Sequence, residues 1–279
     1  MKHQQVEKSL ITTYRKRIWS KFVDAVKEFE LVKTGDKIAV CISGGKDSFL
    51  LAKCFAELKK HGKQNFEVKY LVMDPGYSAE NMQRIKDNLA LLDIDAKIFN
   101  SDIYRIVFNM EGAPCYMCAR MRRGYLYNFA KELGCNKIAL GHHFEDVIET
   151  SLLSMFYNGK TQTMMPKLWA KNFDNMQLIR PLYKVEESSI ISFWTSHDIS
   201  FINCACLFEC SSTPASKKEW TDDDIGKRKE IKLLLKELKK KNANIPVNIY
   251  RSAQNVCLDA LIGWEKNGTK STFLDDYDC

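Results

Sequence analysis

Apolar Ile18, Trp19, Phe22, Val23, Val26 and Phe29 recur near the start of the chain at spacings of one, three and four, the period of an amphipathic helix. Residues 1–32 therefore read as a helical lead-in, broken at Thr34-Gly35-Asp36, where turn-forming residues stop the periodicity. The pattern then changes. KIAVCI, Lys37–Ile42, is a nearly continuous apolar run that enters the turn Ser43-Gly44-Gly45 and a helical stretch, KDSFLLAKCFAELKKHG. A run of this kind fits a strand buried on both faces. FEVKYLVMD forms a second strand ending at Asp74-Pro75-Gly76, a helix follows from about Ser78 to Leu92, and DAKIFN makes a third strand. A cysteine-bearing loop precedes the helix Met117–Gly134, and the strand KIALGHH leads into the helix EDVIETSLLSMFY. Strands alternating with helices of about ten or more residues predict an α/β fold, an open parallel sheet with helices on both faces. From Thr161 the pattern loosens, with QLIRPL and DISFINC as short strands and Lys227–Lys241 as a basic helix.

Composition narrows the function classes. The chain has 279 residues, 45% hydrophobic and 28% charged, so it carries enough apolar material for a core without staples. No apolar run approaches the ~20 residues that span a bilayer, and the start MKHQQVEKSLITTYRKR lacks an apolar signal core. The expectation is a cytoplasmic protein with no membrane partner. In a reducing compartment, ten cysteines point to metal binding, catalysis or burial rather than disulfides. The net charge of +7, with basic clusters at Arg120–Arg123, Lys217–Lys218, Lys227–Lys229 and Lys236–Lys241, suits a polyanionic partner or solvated helix faces.

SGGKDS, Ser43–Ser48, lies between an apolar strand and a helix. Two glycines let backbone N–H groups approach phosphate oxygens, the helix start adds partial positive charge, and Lys46 adds a full one. The spacing is not that of the common GxxxxGK[ST] loop. The motif resembles the PP-loop ATP pyrophosphatase family, whose members adenylate a substrate oxygen and release pyrophosphate. By that resemblance Ser43, Gly44, Gly45, Lys46, Asp47 and Ser48 hold the pyrophosphate, and Asp47 helps hold Mg²⁺. Asp74 stands at a strand's C-terminal end, where ligands collect in open α/β sheets. It reads equally as a nucleoside contact or a turn cap.

Cys115-Tyr-Met-Cys118 has the spacing of a metal or cluster grip and also of a redox disulfide. Cys204, Cys206 and Cys210 form a second cysteine-rich loop able to complete a site with the first, whereas Cys41, Cys54, Cys135 and Cys257 sit in apolar contexts and read as core fillers. A structural zinc remains the plainer alternative.

CxxC followed by ARMRRGYLY, then LGHHFEDVIETSLLSMFYNGKTQTMMPKL and IRPL, resembles the tRNA 2-thiocytidine synthetase (TtcA) group within the PP-loop family. The resemblance covers roughly residues 15–210. It implies an ATP-dependent tRNA sulfurtransferase with a [4Fe–4S] cluster on Cys115, Cys118 and one later cysteine, here Cys204 or Cys206, because NCAC stands where the group shows PCxxC. It also raises Gly141, His142, His143 and Asp146 as nucleotide or Mg²⁺ neighbours. Adjacent histidines in a strand point to opposite faces, so one of the two is expected to face the site. Arg122 and Arg123, with Lys160 and Lys167, are expected on tRNA phosphates, where arginine forks bind well. Tyr116, Tyr125 and Tyr127 are stacking candidates, with core packing the plainer reading of the last two. The expected partners are tRNA, a sulfur donor (a cysteine desulfurase or sulfide) and a second copy in a homodimer. The expected organisation is a helical segment over 1–32, a PP-loop catalytic domain over 33–210 and a basic helical region over 211–279. Competing readings are a thiolase acting on another tRNA base and a non-catalytic nucleotide- or RNA-binding module with structural zinc.

Overall fold

The computed structural model describes residues 1–108, 114–202, 223–275 and 277. They fold into two compact units, one of the described residues within 1–147 and 165–222, the other of those within 148–164 and 223–279.

A six-stranded sheet forms the centre of the first unit, in the order β3 (Ala96–Asn100), β2 (Glu67–Asp74), β1 (Lys37–Ile42), β4 (Lys137–Ala139), β6 (Gln177–Ile179), β5 (Lys167–Trp169). All neighbours run parallel except β5, which pairs antiparallel with β6 at the edge. The α/β reading therefore holds. Along β1 the side chains alternate between two cores: Ile38, Val40 and Ile42 pack with the N-terminal helices and α3 (Lys46–His61), while Ala39 and Cys41 pack with Tyr127, Ala130 and Cys135 on the opposite face. A strand buried on both sides has no polar alternation to show, hence the continuous apolar run in the sequence.

The N-terminal segment is helical but interrupted. α1 (Lys2–Ile11) is followed by a π-helical turn at Arg15–Trp19 and by α2 (Ser20–Glu28). Val6, Leu10, Ile18 and Phe22 are fully buried in the main core, so this segment is part of the first unit's interior rather than an appendage. α4 (Ala79–Leu91) starts as expected, with the Ser78 side chain accepting from the Asn81 N–H.

Several expectations are corrected. The CxxC pair does not lie in a loop: α5 (Ile103–Phe108) leads toward α6 (Pro114–Glu132), and Cys115 and Cys118 both fall in the opening turns of α6. Proline is tolerated in the first turn of a helix, where its missing N–H costs nothing, so Pro114 starts the helix instead of delaying it. β4 ends at Ala139, which leaves His142 and His143 in the connection to α7 (Phe144–Asn158), not in a strand. DISFINC is not a strand through Ile202. Asp198 turns with φ of 49°, the Asn88 amide donates to the Ser200 carbonyl at 3.0 Å, and Ile199 and Ile202 bury their side chains in the main core. The burial read as strand character in fact anchors a loop. Lys167 begins strand β5. Cys41, Cys54 and Cys135 are buried as expected, but Cys257 is exposed, in a C-terminal stretch with few buried neighbours.

The second unit contains the later turns of α7, the basic helix α9 (Asp223–Lys241), α10 (Ile245–Ser252) and a hairpin of β7 (Gly263–Lys266) and β8 (Thr269–Thr272). The Tyr157 hydroxyl donates to Glu230 at 2.6 Å, and Arg228 donates to Glu149 at 3.1 Å, so α9 uses its polar face partly on a hydrogen bond and an ion pair. Among the described residues no helix is long and apolar enough to cross a membrane.

Candidate functional site

Ser43-Gly44-Gly45 turns the chain from the C-terminal end of β1 into the first residue of α3, Lys46. Gly44 has φ of 86°, a conformation that side-chain-bearing residues adopt only under strain, and a Cβ there would lie 2.5 Å from Ile202 Cδ1 and 2.9 Å from Ile85 Cδ1. The loop thus sits on a floor of two isoleucines. Gly44→Ala is expected to destabilise the protein by ~1–3 kcal/mol through overpacking alone, measured by chemical unfolding; equal stability would show that the floor yields.

Inside the loop, Ser48 Oγ accepts from the Ser43 N–H at 3.1 Å and donates to the Gly45 carbonyl at 2.8 Å. Ser43 is held from the other side by the Tyr77 hydroxyl, which donates to its carbonyl at 3.1 Å. Asp74 uses one carboxylate oxygen on the Gly76 and Tyr77 N–H groups, at 2.8 and 2.7 Å. The turn-cap reading of Asp74 is therefore realised, and the cap places Tyr77 against the loop. Gly141 also has a packing reason: a Cβ there would come within 3.1 Å of the Asp47 carbonyl carbon and the Ser48 nitrogen. The connection after β4 passes directly over the start of α3.

Charge gathers around Lys46. Its ammonium lies 3.0 Å from Glu187 Oε1 and 3.2 Å from Asp47 Oδ2. Burial alone would push this group down, but the two carboxylates outweigh it and hold its pKa above the ordinary lysine value. Asp47 is raised as well, but by burial, which His143 and Lys46 only partly offset. Its other oxygen, Oδ1, is buried with no hydrogen-bond partner among the described residues. An orphaned carboxylate oxygen beside a phosphate loop fits a hard cation, whose preferred ligand is oxygen.

His143 is buried, and its N–H donates to Asp146 Oδ2 at 3.0 Å, closing the first turn of α7. Its ring stands 3.3 Å from Glu145 and 3.5 Å from Asp146. Burial lowers its pKa, but Glu145, Asp146 and Asp47 together raise it above the usual histidine value. Asp146 thus spends an oxygen on the helix start, while His142 is half-buried.

The cysteine helix reaches the same sheet edge. Cys118 is buried with Ile103, Tyr104 and Met73, the last of these one residue before Asp74 at the end of β2. Arg122 donates to the Tyr104 hydroxyl at 2.6 Å and lies over its ring, and Tyr104 packs edge-on to Tyr77. A continuous path, Arg122–Tyr104–Tyr77–Ser43, joins α6 to the phosphate loop. Arg123 and Lys160 are exposed, and Lys167 lies 3.9 Å from Glu30. Tyr127 is buried and Tyr125 is exposed. Cys204, Cys206 and Cys210 lie outside the described residues, as do the side chains of Cys115 and Tyr116. Among the described residues no three metal-ligating groups cluster.

Three participants were missed in the sequence: Glu187, Trp194 and Tyr77. The first two lie on α8 (Glu187–Ser196), a helix whose only local signal is an acidic pair before an apolar run. Trp194 donates to the Lys46 carbonyl at 2.9 Å.

Comparison with known proteins bears on the family and the fold. Residues 14–205 match the PP-loop domain family ATP_bind_3. The chain is 33% identical over 259 residues to a tRNA-cytidine(32) 2-sulfurtransferase of Coxiella burnetii (strain CbuG_Q212), covering 92% of this chain and 93% of that protein. It is 34% identical over 244 residues to one of Paraburkholderia phytofirmans (strain DSM 17436 / LMG 22146 / PsJN), covering 86% and 68%. The fold is shared with a U34-tRNA thiolase of Methanococcus maripaludis solved with its [4Fe–4S] cluster, at a TM-score of 0.62 and 20% identity over 87% of this chain and 80% of that one. With both the glycine loop and the extended similarity in place, the chain belongs to the PP-loop ATP pyrophosphatase superfamily and, within it, to the TtcA-like group of tRNA sulfurtransferases.

Proposed function

We propose that this chain is a cytoplasmic ATP-dependent tRNA sulfurtransferase that replaces the C2 oxygen of a cytidine by sulfur. The observation that carries the reading is the juxtaposition at one sheet edge of the Gly44 turn, with its charged Lys46 and orphaned Asp47 oxygen, and the Cys118-bearing helix, in a chain whose curated relatives carry that name.

The chemistry runs in two stages. The cytidine O2 attacks the α-phosphorus of ATP, an O–P bond forms, and the bond to the departing pyrophosphate breaks. Backbone N–H groups of Gly44–Ser48 and the Lys46 ammonium stabilise charge on the leaving group. Asp47 would hold Mg²⁺ through its unpartnered oxygen, neutralising the polyphosphate. A sulfur nucleophile at the sulfide level then adds at C2, AMP leaves, and the C=S bond remains without net redox change. The thiolate donor set fits a cluster: Cys115, Cys118 and one of Cys204 and Cys206 would bind three irons of a [4Fe–4S] centre, which when bound supplies a fourth iron open to sulfide. Exposed Arg123 and Lys160 suit phosphate contacts that position the tRNA, with Arg122 and Lys167 more constrained by Tyr104 and by strand β5.

Two measurements test this. Nucleoside mass spectrometry of tRNA from a strain lacking the chain should show loss of 2-thiocytidine, restored by the parent gene. An unchanged nucleoside profile would overturn the cytidine assignment. Anaerobically purified protein should contain iron and absorb near ~400 nm as iron–sulfur centres do, and Cys118→Ser should lose most of that iron. Tightly bound zinc with no iron after reconstitution would favour the non-catalytic module.

A further inference from the structure

We infer that Glu187 is a positioning residue for the pyrophosphate step, a counter-ion on α8 that holds the Lys46 ammonium when the phosphate loop is empty and competes with phosphate for it. The inference rests on the nucleotide reading of the loop. Four contacts carry it. Lys46 Nζ is 3.0 Å from Glu187 Oε1, with both side chains largely shielded from solvent. The Glu187 N–H donates to Glu145 Oε2 at 2.8 Å, which fixes the start of α8 against the first turn of α7. Trp194, two turns further along α8, donates to the Lys46 carbonyl at 2.9 Å. Lys46 also contacts Asp47 Oδ2 at 3.2 Å.

These contacts divide the lysine in two. Its backbone is pinned to α8 through Trp194, so only the side chain is left to respond to a ligand. Its ammonium faces two carboxylates, and these differ in kind. Asp47 is the next residue and stays beside Lys46 whatever the loop does, whereas Glu187 belongs to a separate helix and can be exchanged for a phosphate oxygen. With both carboxylates engaged, the lysine offers an incoming polyanion no net positive charge. Binding must therefore displace Glu187, and its return to Lys46 favours departure of pyrophosphate. Glu187 weakens ground-state retention of the product while leaving the loop backbone unaltered.

The test is pyrophosphate binding to the full chain by calorimetry, with Mg²⁺ present. Glu187→Gln keeps the size and removes the charge, and is expected to bind pyrophosphate about threefold to tenfold more tightly, as for loss of a partly shielded competing pair. Glu187→Asp should return toward the parent affinity. In a Lys46→Ala background the Glu187→Gln substitution should have no effect, because the competition runs through the ammonium. Unchanged or weaker binding in Glu187→Gln would overturn the inference. So would an equal gain with Lys46 absent, since that pattern is plain repulsion of an anion by a nearby carboxylate. Loss of the nucleotide reading itself would look different: Lys46→Ala alone would then bind pyrophosphate as the parent does.

Discussion

Lys46→Ala and Asp47→Ala are each expected to lower tRNA-dependent pyrophosphate release from ATP by about 10²–10³-fold, the usual effect of deleting one preorganised charge partner of a transition state. Lys46 stands at the first residue of α3, where the helix start and the glycine turn already direct N–H groups toward the same point. Its raised pKa keeps it charged throughout the neutral range, so no protonation change dilutes the loss. Asp47 presents a buried oxygen with no partner, and removing it takes away the one carboxylate ligand that the loop itself offers a cation. Iron content should survive both substitutions, because Cys118 packs against Met73 and Tyr104 rather than against α3. Release at the parental rate in either variant would show that the loop does not hold the leaving group.

The largest stability effect is expected two turns further along α3. Lys53 is only 1% exposed, and its ammonium is satisfied by Glu7 of α1 and by the Leu92 carbonyl at 2.9 Å. Glu7 also takes Lys60 at 2.7 Å. Glu7→Gln leaves a buried positive charge without its counter-ion, which costs ~3 kcal/mol when one partner of such a pair is removed. In a chain of this size that corresponds to a melting temperature lower by roughly 6–12 °C. The pH dependence follows from the same contacts. Burial raises the Glu7 pKa, but the bonds and charges of Lys53 and Lys60 outweigh it, so the folded value lies below the ordinary one. A depressed carboxylate contributes stability that is present above its unfolded pKa of about 4.3 and is lost as pH falls through the folded value. The parent should therefore approach the variant in stability as the solution is acidified, which thermal unfolding across acid and neutral pH would reveal. A constant difference at every pH would assign the loss to packing instead.

The site was legible in part for an identifiable reason. Ser43–Ser48 announced itself because a phosphate loop is made of consecutive residues: the glycines, the lysine and the helix start all lie within one turn of chain. Glu187 did not, because its role depends on α8 lying against α3, and an acidic residue before an apolar run is also an ordinary helix start. The cysteine pair was visible as a spacing but was placed in a loop, since Pro114 is compatible with both a turn and the first position of a helix. The histidines were read as strand residues because they follow closely on the apolar Ile138-Ala139-Leu140, whereas β4 stops at Ala139.

The sequence by itself determined what local chemistry can determine. The continuous apolar run of β1, the alternation of strands with helical periods after it, the paired glycines of the Ser43–Ser48 turn and the family-specific motifs around it fixed the α/β sheet and the kind of ligand loop it carries. The tertiary structure decided everything that depends on two distant segments meeting. It made Ile202 the floor under Gly44 instead of part of a strand, buried the N-terminal helices through the Glu7–Lys53 pair, and tied α6 to the loop through Tyr104 and Tyr77. It also set Glu187 against Lys46 across 141 positions of chain. Periodicity reports which face of an element is covered, but not by what, because hydrophobic burial is non-directional. Hydrogen bonds and ion pairs choose partners by distance in space, and that distance exists only once the chain has folded.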